Sequence, residues 1–289
     1  MTKRAVIITT SFIVILLMTI TMLFGVVFRV RTIEFKYGEE FQYKAQINEI
    51  LTASKLKKNT SIFDINREEI TKNIEIAFPY SRVDGINLVS ATKLKVTLSN
   101  RAPLYYFTEN ETCFVLDEDC KVLEKISVQE YNNRSLKYIL LNNVFSAGES
   151  VEAGQFLTNK YSSLCKDLYK ALYSNAMIEK EQTDEVFEAQ YLNRDEMCEF
   201  INSIRFTQSY ELNGKVDKLI MTTSSGVEMV IIHPQNQFNL KINMAFSAFR
   251  SLQQTDRLEG SSLTQSGSIN VIYNYDTENN QSIICEYRA

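Results

Sequence analysis

Residues that could carry out catalysis are few and scattered along this chain. The single histidine, His233, precedes Pro234, and no partner stands at metal-ligand spacing from it. No nucleophile, phosphate-binding or dinucleotide-binding motif occurs. The 35 acidic residues show no spacing that singles out an acid/base pair. The sequence therefore predicts a protein that is not an enzyme and has no cofactor and no metal.

The cysteines point to neither a zinc site nor a disulfide framework. There are five, an odd number, and no C-x-x-C pair is present: Cys113, Cys120, Cys165, Cys198 and Cys285. We interpret them mainly as small apolar core residues. A pair between Cys113 and Cys120 across a hairpin remains open.

Three acids in a row, Asp117, Glu118 and Asp119, raise the question of calcium binding. They lack the alternating spacing and the distal glutamate of a calcium loop, so we interpret them as a solvated turn.

Composition restricts the class of protein. The net charge is −4, so no overall positive field would attract nucleic acid. Hydrophobic residues make up 45% of the chain, which is enough for packed cores, and 289 residues suggest two domains.

Residues 5–28, AVIITTSFIVILLMTITMLFGVVF, contain no charged residue. A bilayer core about 30 Å thick needs roughly 20 helical residues, so this run predicts a single transmembrane helix. It is longer than the apolar part of a signal peptide, and it lacks the polar positions of a core helix. We expect a cytoplasmic head at residues 1–4 and the rest of the chain outside, although flanking positive charges are nearly balanced.

Periodicity in residues 29–100 predicts a small α+β domain in the order strand, helix, helix, strand, strand. The predicted elements are strand 30–35, helix 43–51, helix 67–77 capped by Asp64 or Asn66, strand 82–89 and strand 93–98.

Residues 101–289 predict a mostly antiparallel β domain with packed helices. A helix of about 17 residues capped by Thr158 is predicted, and another between residues 194 and 203. A third is predicted over 240–252, where Phe246 and Phe249 belong to the stripe facing the sheet. Residues 179–188 are acidic and show little periodicity. The predicted strands are 104–107, 113–116, 121–126, 138–141, 204–212, 215–223, 227–233, 269–275 and 282–287.

The segment from Phe28 to Pro103 resembles the POTRA domain of the FtsQ/DivIB family of bacterial cell-division proteins. The resemblance lies in an F-x-V-x-x-I opening, an I-F-x-I run, an L-x-V strand and an R-x-P ending. The residues are Phe28, Val30, Ile33, Gly38, Leu56, Ile62, Phe63, Ile65, Ile70, Ile74, Pro79, Val83, Leu94, Val96, Arg101 and Pro103. The order of elements at the C-terminus resembles the end of that family's β domain.

The resemblance implies a single-pass scaffold in the cell membrane at the division septum, which helps to control septal peptidoglycan synthesis. Implied partners are membrane-anchored coiled-coil proteins resembling FtsB/DivIC and FtsL, the septal peptidoglycan synthase complex and the lipid bilayer. The predicted partner-binding residues are Ser282, Ile283, Ile284, Cys285, Glu286, Phe246, Phe249 and Arg250.

We expect the last strand to lie at a sheet edge, where a partner strand could add to it. Proline at Ile284 would then remove a backbone donor and abolish capture. A protected edge that binds nothing is the simplest alternative. Other functional hypotheses are a membrane-anchored cell-wall enzyme and a POTRA-containing secretion or sensory anchor.

Overall fold

The structure, a computed structural model, describes residues 3–22, 27–135, 137–142, 144–145, 151–158, 161–183, 186–211, 214–275 and 281–289. The chain divides into two compact units, Met1–Arg101 and Ala102–Ala289. We call them unit 1 and unit 2. The predicted Asn213-Gly214 turn and the connection across Asn279-Asn280 fall partly or wholly outside the described residues.

The prediction of a transmembrane helix over residues 5–28 is wrong. Among the described residues, no helix has both the length and the apolar character needed to cross a bilayer. The first helix, α1 (Lys3–Met22), begins with two cations. Residues 23–26 lie outside the described residues.

Unit 1 continues with two helices packed on a three-stranded sheet. The elements are β1 (Thr32–Tyr37), α2 (Ile47–Ala53), α3 (Arg67–Ala77), β2 (Ser81–Ser90) and β3 (Lys93–Asn100). In the described residues β3 is the central strand, parallel to β1 and antiparallel to β2. The core lies between sheet and helices around Ile50, Ile74 and Leu94, which are fully buried.

Local sequence explains the bounds of α3. The side chain of Asn66 accepts a hydrogen bond from the backbone N–H of Glu69, which caps the first turn. The helix ends before Pro79, which disfavours the α conformation at Phe78. On its buried face Glu75 accepts two hydrogen bonds from Arg101, both at 3.1 Å. Arg101 therefore fixes the end of the unit to α3.

Unit 2 has eleven strands in its described residues. They are β4 (Tyr105–Glu109), β5 (Thr112–Leu116), β6 (Val122–Ser127), β7 (Ile139–Asn142), β8 (Met177–Thr183), β9 (Val186–Tyr191), β10 (Ile201–Glu211), β11 (Gly214–Thr223), β12 (Glu228–Ile232), β13 (Ser268–Tyr275) and β14 (Gln281–Arg288). The helices described there are α4 (Val128–Asn132), α5 (Ser162–Asn175), α6 (Arg194–Phe200) and α7 (Phe238–Glu259).

Nine of these strands form one sheet in the order β14-β13-β12-β11-β10-β7-β4-β5-β6. Three neighbouring pairs, β4 with β7, β7 with β10 and β12 with β13, are parallel. The other five pairs are antiparallel, so the sheet is mixed and most of its pairing is antiparallel, as predicted. Helices α5 and α7 contribute to the main core on one face, and Cys113, Val115 and Tyr131 form a separate small cluster.

Several predicted elements of unit 2 differ from those observed. Residues 179–183 and 186–188, whose sequence shows little periodicity, belong to the two-stranded β8–β9 sheet. Thr158 does not cap α5, which begins at Ser162 after Tyr161. Helix α7 continues to Glu259, seven residues beyond the predicted end, because polar residues of its last turns contact β8 and the following turn.

Candidate functional site

Strand β14 forms one end of the nine-stranded sheet. In the described part of the chain it pairs only with β13, in an antiparallel register that places Cys285 opposite Val271 and Ile284 opposite Ile272. An edge strand leaves one row of backbone groups available to another chain. The five residues of β14 predicted from sequence, 282–286, therefore lie together at a sheet edge.

The hydrogen bonds of β13 show which backbone groups of β14 face outward. Glu228 of β12 lies opposite Ser268, and its N–H donates to the carbonyl of Gly267 at 3.0 Å. In a parallel ladder this bond directs the backbone groups of odd-numbered residues of β13 towards β12. Because strand residues alternate, even-numbered residues of β13 face β14.

The antiparallel register carries this alternation into β14. Asn270 lies opposite Glu286 and Ile272 opposite Ile284, so Ile284 and Glu286 bond inward to β13. The N–H and C=O groups of Ile283, Cys285 and Tyr287 then face away from the sheet. We call these three the outward residues. Sequence reasoning found the strand but could not assign this alternation, which depends on the neighbouring parallel pair.

The side chains of the outward residues anchor the strand. Ile283, Cys285 and Tyr287 all pack against the main core, and the thiol of Cys285 lies 3.8 Å from the carbonyl oxygen of Met244 in α7. Burial raises the pKa of Cys285 to about 11, so the thiol stays protonated at neutral pH. The exposed edge is thus made of backbone, while its side chains hold it in place.

The C-terminal end of β14 is held by the turn that precedes β13. The Tyr287 hydroxyl lies 3.0 Å from the carbonyl oxygens of both Leu263 and Ser266 and shares its one proton between them. Gly267 follows with φ 91°, and a Cβ there would come within 2.5 Å of the Arg288 carbonyl oxygen. The close approach of the two strands at this point therefore requires glycine.

The opposite edge of the sheet, β6, is partly covered. The N–H of Val122 donates to the carbonyl of Gln155 at 2.8 Å, and its carbonyl accepts from Gly154 at 2.7 Å. Farther along the strand, Lys125 forms an ion pair with Glu152 at 2.9 Å. The two edges differ, since no described residue pairs with the outer side of β14.

The three predicted residues of α7 do not join this edge. Phe246 and Phe249 are 1% and 3% exposed, so their side chains face the core and not the surface where a partner was expected to contact them. Arg250 lies on the same helical stripe as Gln253, Gln254 and Arg257. Those three contact Glu179 of β8, which places Arg250 on the flank facing β8 rather than β14.

The acidic turn is not solvated as predicted. Asp117 is fully buried and accepts hydrogen bonds from the N–H groups of Asp119 and Lys121, both at 2.9 Å. Glu118 pairs with Arg194, and Asp119 pairs with Lys166. Each acid therefore has a protein cation or amide as partner.

His233, Cys120 and Cys113 were the other residues considered as possible site residues from the sequence. His233 follows β12 with φ 48°, and its carbonyl accepts a hydrogen bond from Lys241. Cys120 has φ 61° and belongs to the main core, whereas Cys113 lies in the small cluster, so these two thiols are not paired. No group of three or more potential metal ligands occurs in the described residues.

Comparison with known proteins does not identify a family. No protein-family model matches the chain. No curated protein is similar enough to count as a relative.

Proposed function

We propose that this protein is an extracytoplasmic scaffold of the bacterial division machinery at the cell membrane, which recruits other division proteins through the edge of β14. The sequence resemblance to the FtsQ/DivIB family gives the biological setting. The uncovered edge of β14 is the observation that carries the binding mechanism. The protein contributes binding rather than catalysis to septal peptidoglycan synthesis.

Binding occurs by strand addition. A partner segment in extended conformation lies beside β14 and pairs with the backbone groups of Ile283, Cys285 and Tyr287. Each backbone hydrogen bond contributes about 1 kcal/mol net, so pockets for the partner's side chains must supply part of the affinity. The strand is already fixed by β13 and the core, so little conformational entropy is lost on this side of the interface.

The proposed partners are membrane-anchored coiled-coil proteins resembling FtsB/DivIC and FtsL. Through them the scaffold would contact the septal peptidoglycan synthase complex. An extended segment that follows a partner's coiled coil could pair with β14, because main-chain pairing requires few particular side chains of the partner.

The structure changes which substitution tests this proposal. Ile284 bonds inward, so proline at Ile284 would break the pairing with Ile272 and damage the fold. Cys285→Pro instead removes an outward N–H. Cys285→Ala keeps that N–H and removes the thiol, which makes it the matched control.

The experiment is affinity capture of the full chain from growing cells, followed by identification of the captured proteins. We expect wild type and Cys285→Ala to capture coiled-coil division proteins, and a Cys285→Pro variant that melts like the alanine variant to capture at least tenfold less. Depletion of the protein should produce filamentous cells. Equal capture by the proline variant, or capture of another machine's proteins only, would refute the proposal.

A further inference from the structure

Three loops of unit 1 meet at one end of its sheet. The N–H of Val30 donates to the carbonyl of Thr60 at 2.9 Å, which joins the entry to β1 with the loop after α2. The N–H of Arg31 donates to Thr92 at 2.8 Å, which joins the same entry with the turn between β2 and β3. We call the surface formed by residues 27–31, 55–63 and 88–93 the basic end.

The three segments of the basic end contain six cations and no acid. Its cations are Arg29, Arg31, Lys55, Lys57, Lys58 and Lys93, and no Asp or Glu occurs in the three segments. All except Lys93 are exposed. Lys93 pairs with Glu34, and Asp64 and Glu69 line one depression with Lys55 and Lys57. The six cations therefore exceed these three acids by three.

Apolar side chains are exposed among these cations. Phe63 is 58% exposed and Val89 56%, and Val27 and Leu88 are also exposed. The ring of Phe63 packs edge-on against Phe28 at 5.7 Å between centroids, so the aromatic side chain is held at the surface. In sequence the basic end follows α1, whose side chains at residues 9–22 are exposed and largely apolar.

We propose that the basic end binds the headgroup layer of an anionic lipid bilayer. Lipid headgroups supply phosphates to the cations, and the acyl boundary just below accepts Phe63 and the neighbouring apolar side chains. A nucleic acid or a soluble phosphate would satisfy the cations alone and leave the apolar side chains in water. The surface would hold unit 1 against the membrane.

The test measures flotation of the full chain with two kinds of vesicle. One kind is phosphatidylcholine alone, and the other contains about 30% phosphatidylglycerol. The test variant is Lys57→Gln with Lys58→Gln. The matched control is Lys36→Gln with Lys44→Gln, which removes the same charge. Lys36 lies near the opposite end of the sheet, beside the Tyr37–Leu98 pairing. Lys44 begins a 3-10 turn two residues after Gln42, whose backbone N–H donates to Asn100.

Each lysine near an anionic surface contributes a factor of about five in binding, so we expect the test variant to bind anionic vesicles about 25-fold more weakly. The control should change less than twofold. Glycerol phosphate in solution should not compete, and half-molar salt should weaken binding of wild type. Equal loss in both variants, equal binding to neutral vesicles, or displacement by glycerol phosphate would each overturn the proposal.

Discussion

A single carboxylate, that of Asp256, organises the turn that positions the end of β14. It accepts hydrogen bonds from the hydroxyls of Ser261 and Thr264, both at 2.6 Å, and from the N–H groups of Leu263 and Thr264. Burial raises the pKa of Asp256, but these hydrogen bonds outweigh it and lower the pKa from 3.8 to about 2.

Asp256→Asn should lower the stability of unit 2 by about 2 kcal/mol at neutral pH, because charge-assisted hydrogen bonds are replaced by neutral ones. In wild type the unfolded chain takes up this proton near pH 4 and the folded chain only near pH 2. The carboxylate therefore stabilises the fold above pH 4, and its contribution is lost as the pH falls towards 2.

Urea unfolding of both proteins between pH 7 and pH 2 checks this prediction. The difference between wild type and the asparagine variant should shrink as the pH falls from about 4 to about 2. A difference that stays constant over that range would show that Asp256 does not stabilise the turn through its charge.

The buried pair of Glu75 and Arg101 makes a second prediction at the residue scale. Glu75 is 5% exposed and Arg101 is 6% exposed. Glu75→Ala would therefore leave the charge of Arg101 buried without its carboxylate partner. We expect unit 1 to lose about 3 kcal/mol. The control is Glu34→Ala, which breaks the exposed pair with Lys93 and should change unfolding little. Similar unfolding curves for both variants would contradict the prediction.

At the scale of elements, the glycine before β13 decides whether β13 and β14 can close together. Gly267→Ala adds both a strained positive φ and a clash with the Arg288 carbonyl, so it should cost more than about 2 kcal/mol. Gly260 has φ 67° but open space around its Cβ position. Gly260→Ala should therefore cost only about 1 kcal/mol, for φ strain alone.

Thermal unfolding of the two alanine variants separates two costs. Gly260→Ala reports the cost of a positive φ alone, and Gly267→Ala adds the cost of the clash with the Arg288 carbonyl. If Gly260→Ala and Gly267→Ala shift the midpoint equally, the close approach of β13 and β14 has no energetic consequence. The Gly267→Ala variant should also bind partners more weakly, because the end of β14 would be displaced.

Elements with strong local patterns could be predicted from sequence. Helix α3 has the bounds that its apolar stripe and the Asn66 cap predict, and the final hairpin lies where alternation predicts it. The β8–β9 pair was missed because Glu179, Lys180 and Glu181 hide the alternation expected of a half-buried strand. The parallel pairs were missed because each joins strands separated by a long crossover, which leaves no local signal.

The candidate site was predicted only in part for the same reason. The five residues of β14 can be predicted from their position in the chain and their alternating pattern. The burial of Phe246 and Phe249 can also be predicted, because both belong to the apolar stripe of α7. The outward direction of the Cys285 backbone depends on the register of β12 with β13, a long-range contact. Sequence periodicity gives side-chain faces but not which neighbour receives a backbone hydrogen bond.

At the scale of the whole molecule, the two units differ in charge. Lys and Arg outnumber Asp and Glu by 15 to 9 over residues 1–101, whereas Asp and Glu outnumber them by 26 to 16 over residues 102–289. The overall charge of −4 hides this division. A basic unit suited to an anionic surface is followed by an acidic unit with an open sheet edge, and the two proposed surfaces lie on different units.

Residue-resolved amide exchange of β14, measured by NMR with and without a captured partner, tests strand addition most directly. In the free protein we expect the amides of Ile284 and Glu286 to exchange slowly and those of Ile283, Cys285 and Tyr287 to exchange fast. With partner bound, these three should become slow as well. Outward amides that are already protected in the free protein, or that still exchange fast in the complex, would contradict the proposal.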